Sequence, residues 1–158
     1  HGWHVFYLMN WLLGGDVPAA ISARLESPPG TDVDDVADLR IKFASGALSR
    51  AHLSWRAPVR RTSAVIYGER ACIEIEGDRV TLTDRSGKVE DLSIADVADD
   101  SYHSAWFGGV AAEFERAVSE GTNSPIASGN LAEARVALML IEATRKSSIE
   151  NGAEIVLS

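Results

Sequence analysis

Four histidines, His1, His4, His52 and His103, are the side chains of this sequence best suited to moving a proton near neutral pH. His4 falls in the first turn of an amphipathic helix, where the helix dipole favours a neutral imidazole able to accept a proton from a substrate hydroxyl. The plain alternative is a helix-start histidine bonded to solvent or a nearby backbone group, with Trp3 beside it simply packed. Tyr102 and His103 open a second helix and can hydrogen-bond substrate hydroxyls, or they are an exposed helix-cap segment. Arg56, Arg60 and Arg61, in the run WRAPVRR, either meet an anionic group through their guanidinium forks or sit in a solvated loop. Trp55 either stacks on a ligand ring or packs in a core or interface.

The same sequence offers no Gly-rich phosphate cradle, no nucleophile elbow and no paired Cys/His metal spacing; Gly108-Gly109 lies within a helical pattern with no strand before it. No cofactor fingerprint and no metal site are read from it. The single cysteine, Cys72 in the strand-like run ACIEIEG, allows no internal disulfide and reads as a small packed residue.

The elements that must position these residues follow from the hydrophobic period. Val5, Leu8, Met9 and Leu12 recur at helical spacing before Gly14-Gly15, which predicts a first helix over about 3–13. From Val17 to about Ile94 the period is two, as in Leu39, Ile41 and Phe43 against Asp38, Arg40 and Lys42, so this middle is expected to be a sheet. Short turns at Ala44-Ser45-Gly46, Gly68-Glu69-Arg70, Glu76-Gly77-Asp78 and Arg85-Ser86-Gly87 require antiparallel neighbours. The segment SPPGTDVDD, 27–35, is a loop.

Phe107, Val110, Ala111, Phe114 and Val118 form one apolar stripe of a second helix over about 102–120. Asn130 with Glu133 three residues on resembles a capping box, with Ser128 a competing cap, for a long third helix ending at Asn151-Gly152. Residues 153–157 alternate as a closing strand. Strands in the middle and helices at both ends predict one α+β domain over 1–158, an open, mainly antiparallel β-sheet with helices on one face. Its other face is mixed, with His52, Ser54 and Arg56 alternating against Ala51, Leu53 and Trp55, and a subunit contact is expected to cover it.

Composition restricts the functional classes. A chain of 158 residues with a formal charge of −8 opposes a nucleic-acid partner, whose phosphates are met mainly by Lys and Arg. No run of apolar residues is long enough to span a membrane and nothing reads as a signal peptide, so a cytoplasmic setting is expected. The start at His1, already inside an amphipathic pattern, suggests a sequence that begins in mid-protein.

The run HGWHVFYLMNWLLGG resembles the helix that opens the C-terminal domain of the glucose-fructose oxidoreductase, inositol dehydrogenase and MocA family, whose pattern is Asp-x-Gly-x-His followed by a Trp-Leu-x-Gly helix end. Gly2, His4, Trp11, Leu12 and Gly14 match in spacing, and the Asp would fall immediately before His1. The resemblance continues through ADLRIKFASGALSRAHLSW, VIYGERACIEIEG and AEARVALMLIEATRKSSIENGAEIVL, nearly the whole chain. One departure stands out: the family's Asp three residues after the His is Tyr7 here, which replaces an acceptor carboxylate by a phenol that also donates.

The resemblance implies a two-domain parent in which an N-terminal Rossmann domain, not present in these residues, binds NAD or NADP and supplies a Lys. This chain would then supply the substrate wall for a sugar, inositol or related polyol, would bind no cofactor itself and would be inactive alone. His4 becomes the proton acceptor, oriented by the preceding Asp, and Tyr7, Tyr102 and His103 become substrate-binding candidates. Its partners would be that substrate, its own Rossmann domain and further copies of itself through the open sheet face; nucleic acid and membrane are not expected. A non-catalytic binding or oligomerisation module is the alternative reading.

Overall fold

The computed structural model describes residues 2–92, 104–121 and 124–157. In chain order the elements are α1 (Gly2–Leu12), β1 (Pro18–Glu26), β2 (Val36–Phe43), β3 (Leu48–Ser54), β4 (Ser63–Tyr67), β5 (Ala71–Glu76), β6 (Arg79–Asp84), β7 (Val89–Asp91), α2 (Ser104–Glu120), α3 (Pro125–Ile149) and β8 (Ile155–Val156). The class is α+β with antiparallel pairing, as the alternating middle and short turns require. All four turns fall where the sequence places them, between β2 and β3 and through the β4 to β7 meander.

The strands expected in one sheet divide between two. One sheet has the order β3-β2-β1-β8 and the other β4-β5-β6-β7. The chain correspondingly forms two compact units, one of residues 1–56 and 113–158 and one of residues 57–112. Period-two alternation shows which residues face inward along a strand but carries no information on which strands share a sheet.

In the first unit Ile21 pairs opposite Ile41 and Ala23 opposite Leu39, so the inward positions of β1 and β2 meet on one face. Phe6 of α1 and Ala137, Leu140 and Ala143 of α3 close on that face to complete the core. The two-residue strand β8 pairs only with Ala20 and Ile21 of β1. Beyond it the β1 edge is satisfied from α3: the Ala23 N–H donates to Ser147 Oγ at 2.8 Å and the Leu25 N–H to Ser148 Oγ at 3.0 Å. Ser147 is fully buried and passes its own proton to the Ala153 carbonyl at 2.6 Å, so one hydroxyl ties β1, α3 and the chain leading to β8.

The third helix starts earlier than its sequence suggests. Ser124 is the N-cap, its side chain accepting from the Ala127 N–H, and Pro125 occupies the first turn. Asn130 and Ser128 are therefore interior helix residues, and Glu133 is free of any capping role. The helix ends where expected, with Asn151 at φ 58° and Gly152 at φ 84° turning the chain back toward β8.

In the second unit, β4 to β7 form a meander in register, Ile66 opposite Ile73 and Ile73 opposite Leu82. Asp84 caps the β6–β7 turn, its Oδ1 accepting from the Ser86 N–H at 2.8 Å and the Lys88 N–H at 3.0 Å.

Candidate functional site

The first helix forms because its apolar residues, Phe6 above all, are drawn against α3, while Trp3, His4, Tyr7 and Leu8 are left outward. His4 and Tyr7 lie three residues apart, so they are neighbours on the surface of α1. Tyr7 remains 44% exposed, enough to be reached by a small molecule.

The Tyr7 phenol stands beside Glu133 of α3. The negative charge of Glu133, then partial burial, then a hydrogen bond to Glu133 and finally the charge of Glu113 on α2 all raise its pKa above the ordinary tyrosine value. The phenol therefore stays protonated and gives its proton to Glu133, leaving the oxygen lone pairs available as acceptors. Sequence reasoning missed both glutamates. Glu133 reads as part of a helix cap and Glu113 sits among the polar positions of an amphipathic helix; only the fold, which brings α2 and α3 to α1, sets both near Tyr7.

His4 and Tyr7 are thus brought onto one surface, with Glu133 and Glu113 added. Tyr102 and His103 lie outside the described residues. Arg56 is committed elsewhere: its guanidinium grips Asp35 through Nε at 2.8 Å and Nη2 at 2.7 Å, and reaches Glu26 through Nη1 at 2.8 Å. Arg61 pairs with Glu76. These two arginines do structural work at strand ends, and neither presents a free fork to a ligand. Trp55 is 71% exposed at the end of β3.

Among the described residues, no three or more His, Cys, Asp or Glu side chains are grouped to hold a metal ion, and no helix is long and apolar enough to cross a membrane. Every strand pair among them is antiparallel.

Residues 1–74 match the family model of the GFO/IDH/MocA C-terminal domain, in line with the resemblance read from the sequence. No curated protein sequence matches the chain.

Solved structures share the fold. An oxidoreductase from Agrobacterium radiobacter in complex with NAD+, L-tartaric acid and magnesium superposes with a TM-score of 0.73 at 22% identity, covering 98% of this chain and 47% of that one. Levoglucosan dehydrogenase in complex with NADH and L-sorbose gives 0.74 at 19% identity, over 99% of this chain and 48% of that one. The aldose-aldose oxidoreductase from Caulobacter crescentus complexed with glycerol gives 0.74 at 16%, over 99% and 46%. The chain thus spans about half the length of the oxidoreductases it resembles.

Proposed function

We propose that the chain is the substrate-side half of an NAD(P)-dependent oxidoreductase acting on a sugar, inositol or related polyol. The observation that carries this reading is the surface of α1, where His4 and Tyr7 stand one turn apart and Glu133 fixes the phenol. His4 accepts the proton of a substrate hydroxyl, and Tyr7 accepts a hydrogen bond from a neighbouring hydroxyl while donating to Glu133. Glu133 and Glu113 return carboxylate character to the place where the family's aspartate is replaced by Tyr7. Tyr102 and His103 belong to the same substrate wall in this reading.

The dinucleotide is held by an N-terminal Rossmann domain, and the nicotinamide supplies the hydride acceptor when bound; the present residues supply substrate binding and the proton relay. Alone they are inactive. A cytoplasmic setting goes with this reading. The solved oxidoreductases crystallised with NAD+ or NADH and with L-sorbose or glycerol support it by their fold.

His4→Ala in the complete two-domain protein should lower turnover by about 10²- to 10⁴-fold, the usual share of a positioned general base, with an unchanged thermal midpoint. Turnover within a few-fold of the parent would remove His4 from the chemistry.

A second reading draws on the helix-free face of the first sheet, which suits an isologous contact between copies. In this reading the chain is an assembly module. It predicts that His4→Ala in the complete protein leaves turnover intact and that substitutions on this face abolish association, which activity and sedimentation measurements would show.

A further inference from the structure

The outward positions of β1, β2 and β3 bring several basic side chains together in an otherwise acidic chain. The register sets Ser22 opposite Arg40 and Arg40 opposite Arg50, so one ladder row reads Ser-Arg-Arg. The neighbouring row reads Arg24, Asp38, His52, in which Asp38 is engaged with His52 Nδ1 at 2.8 Å. Among the described residues Arg24, Arg40 and Arg50 have no carboxylate partner, in contrast to Arg56, Arg61 and Lys42, each of which does.

Two guanidiniums directly opposite across an antiparallel pair repel, because their Cβ atoms are only about 5 Å apart. The row is nevertheless built into an open concavity of about 400 Å³ whose lining includes Ser22, Arg24, Arg40, Arg50, His52 and Gly152. Gly152 makes room for the third arginine. A Cβ at that position would stand 3.3 Å from Arg24 Nε, and the φ of +84° disfavours any side chain there. The last turn after α3 thus leaves Arg24 at the rim of the Arg40–Arg50 row.

We propose that this concavity is a binding site for a small oxyanion of the phosphate class, held by the forks of Arg40 and Arg50, with Arg24 at its edge and the half-buried Ser22 hydroxyl as a further donor. Planar guanidiniums present paired N–H donors that match such an anion, and three of them against the single carboxylate of Asp38 leave the concavity net positive. The site is remote in kind from the α1 surface: it lies on the sheet face that the helices do not cover, and does not depend on the chemistry proposed for His4. A second copy laid on this face about a two-fold axis near the row would oppose arginines to arginines, so an intervening anion serves that arrangement too.

The test is calorimetric titration of the full protein with inorganic phosphate at constant ionic strength, chloride being the reference anion, alongside Arg40→Gln and Arg50→Gln. Saturable phosphate binding, weakened about tenfold or more in each variant, is expected. Without phosphate, Arg40→Gln should melt at the same or a higher temperature than the parent, since it removes a repulsion and no contact. Phosphate binding that is absent, or equal in parent and variants, overturns the site. So does an Arg40→Gln protein that merely dissociates from dimer to monomer in sedimentation with no phosphate dependence, since the guanidiniums would then be answering carboxylates of a second copy.

Discussion

Two four-stranded antiparallel sheets are made by the same local rules in this chain, yet among the described residues only one of them acquires a core. In the sheet of β1, β2, β3 and β8, Ile21 and Ile41 are opposite each other and essentially without solvent contact. In the meander of β4 to β7, the equivalent inward row of Ile66, Ile73 and Leu82 is only half-buried, and Val65 and Tyr67 on the other face are 48% and 83% exposed. The alternation of apolar and polar residues is as regular in the second sheet as in the first. What differs is the second layer: α1 and α3 contribute Phe6, Ala137, Leu140 and Ala143 to the first. Alternation therefore marks a face as suited to burial, and a helix packed on it is what removes the water.

The contrast is broken most severely by emptying the helix layer. Leu140→Ala removes a fully buried side chain from a face already closed by β1 and β2, and should cost ~2–5 kcal/mol in urea unfolding. Ile73→Ala, on the half-buried row, should cost about 1 kcal/mol. Equal losses would mean that both sheets are equally closed, and the comparison would fail.

A smaller effect is expected where α3 is stitched to the edge of β1. Ser147→Ala leaves the Ala23 N–H without its acceptor inside the core, at a cost of roughly 1–3 kcal/mol. Hydrogen exchange at the Ala23 amide reports the same event locally. Faster exchange there, with little change in the β4 to β7 meander, would show that the clip serves the first unit alone; unchanged exchange would show that water or another group takes over.

The first unit was also the more legible in sequence, and for a physical reason. Strand edges, turns and the Asn151-Gly152 stop are set by neighbours a few residues apart, so periodicity and φ preferences reveal them. The start of α3 was misplaced because Asn130 and Glu133 mimic a cap, whereas the working cap, Ser124 before Pro125, was overlooked. At the site, His4 and Tyr7 were readable from a family pattern along one helix. Glu133 and Glu113 were not, because their approach to Tyr7 depends on how α2 and α3 come to α1, between residues more than a hundred positions apart. Likewise the Ser-Arg-Arg row exists only once the register of three strands is fixed.

The finest difference between the two units lies in how each holds an ionised aspartate. Asp35 is kept below the ordinary carboxylate range first by its hydrogen bonds from Arg56, and the Arg56 charge adds to this. Asp84 is held low by the Ser86 hydroxyl and then by backbone N–H groups of the β6–β7 turn, with no cation involved. In both cases the folded value is depressed, so the stabilising contribution is fully present above the unfolded carboxylate value of about 4 and is lost as pH falls through the lower folded value. Both carboxylates lie near the surface, only partly buried, and the effect on stability is correspondingly small. They separate by salt and by mutation. Raising ionic strength, or Arg56→Gln, should move the Asp35 midpoint up toward the ordinary range in a carboxyl NMR titration, because a charge pair is screened and a deleted donor is not replaced. The Asp84 midpoint should stay low under both changes, since turn N–H dipoles act at hydrogen-bond distance and are untouched by either. If the two aspartates moved together, the Arg56 clamp would be contributing nothing of its own, and the end of β3 would be held by its backbone alone.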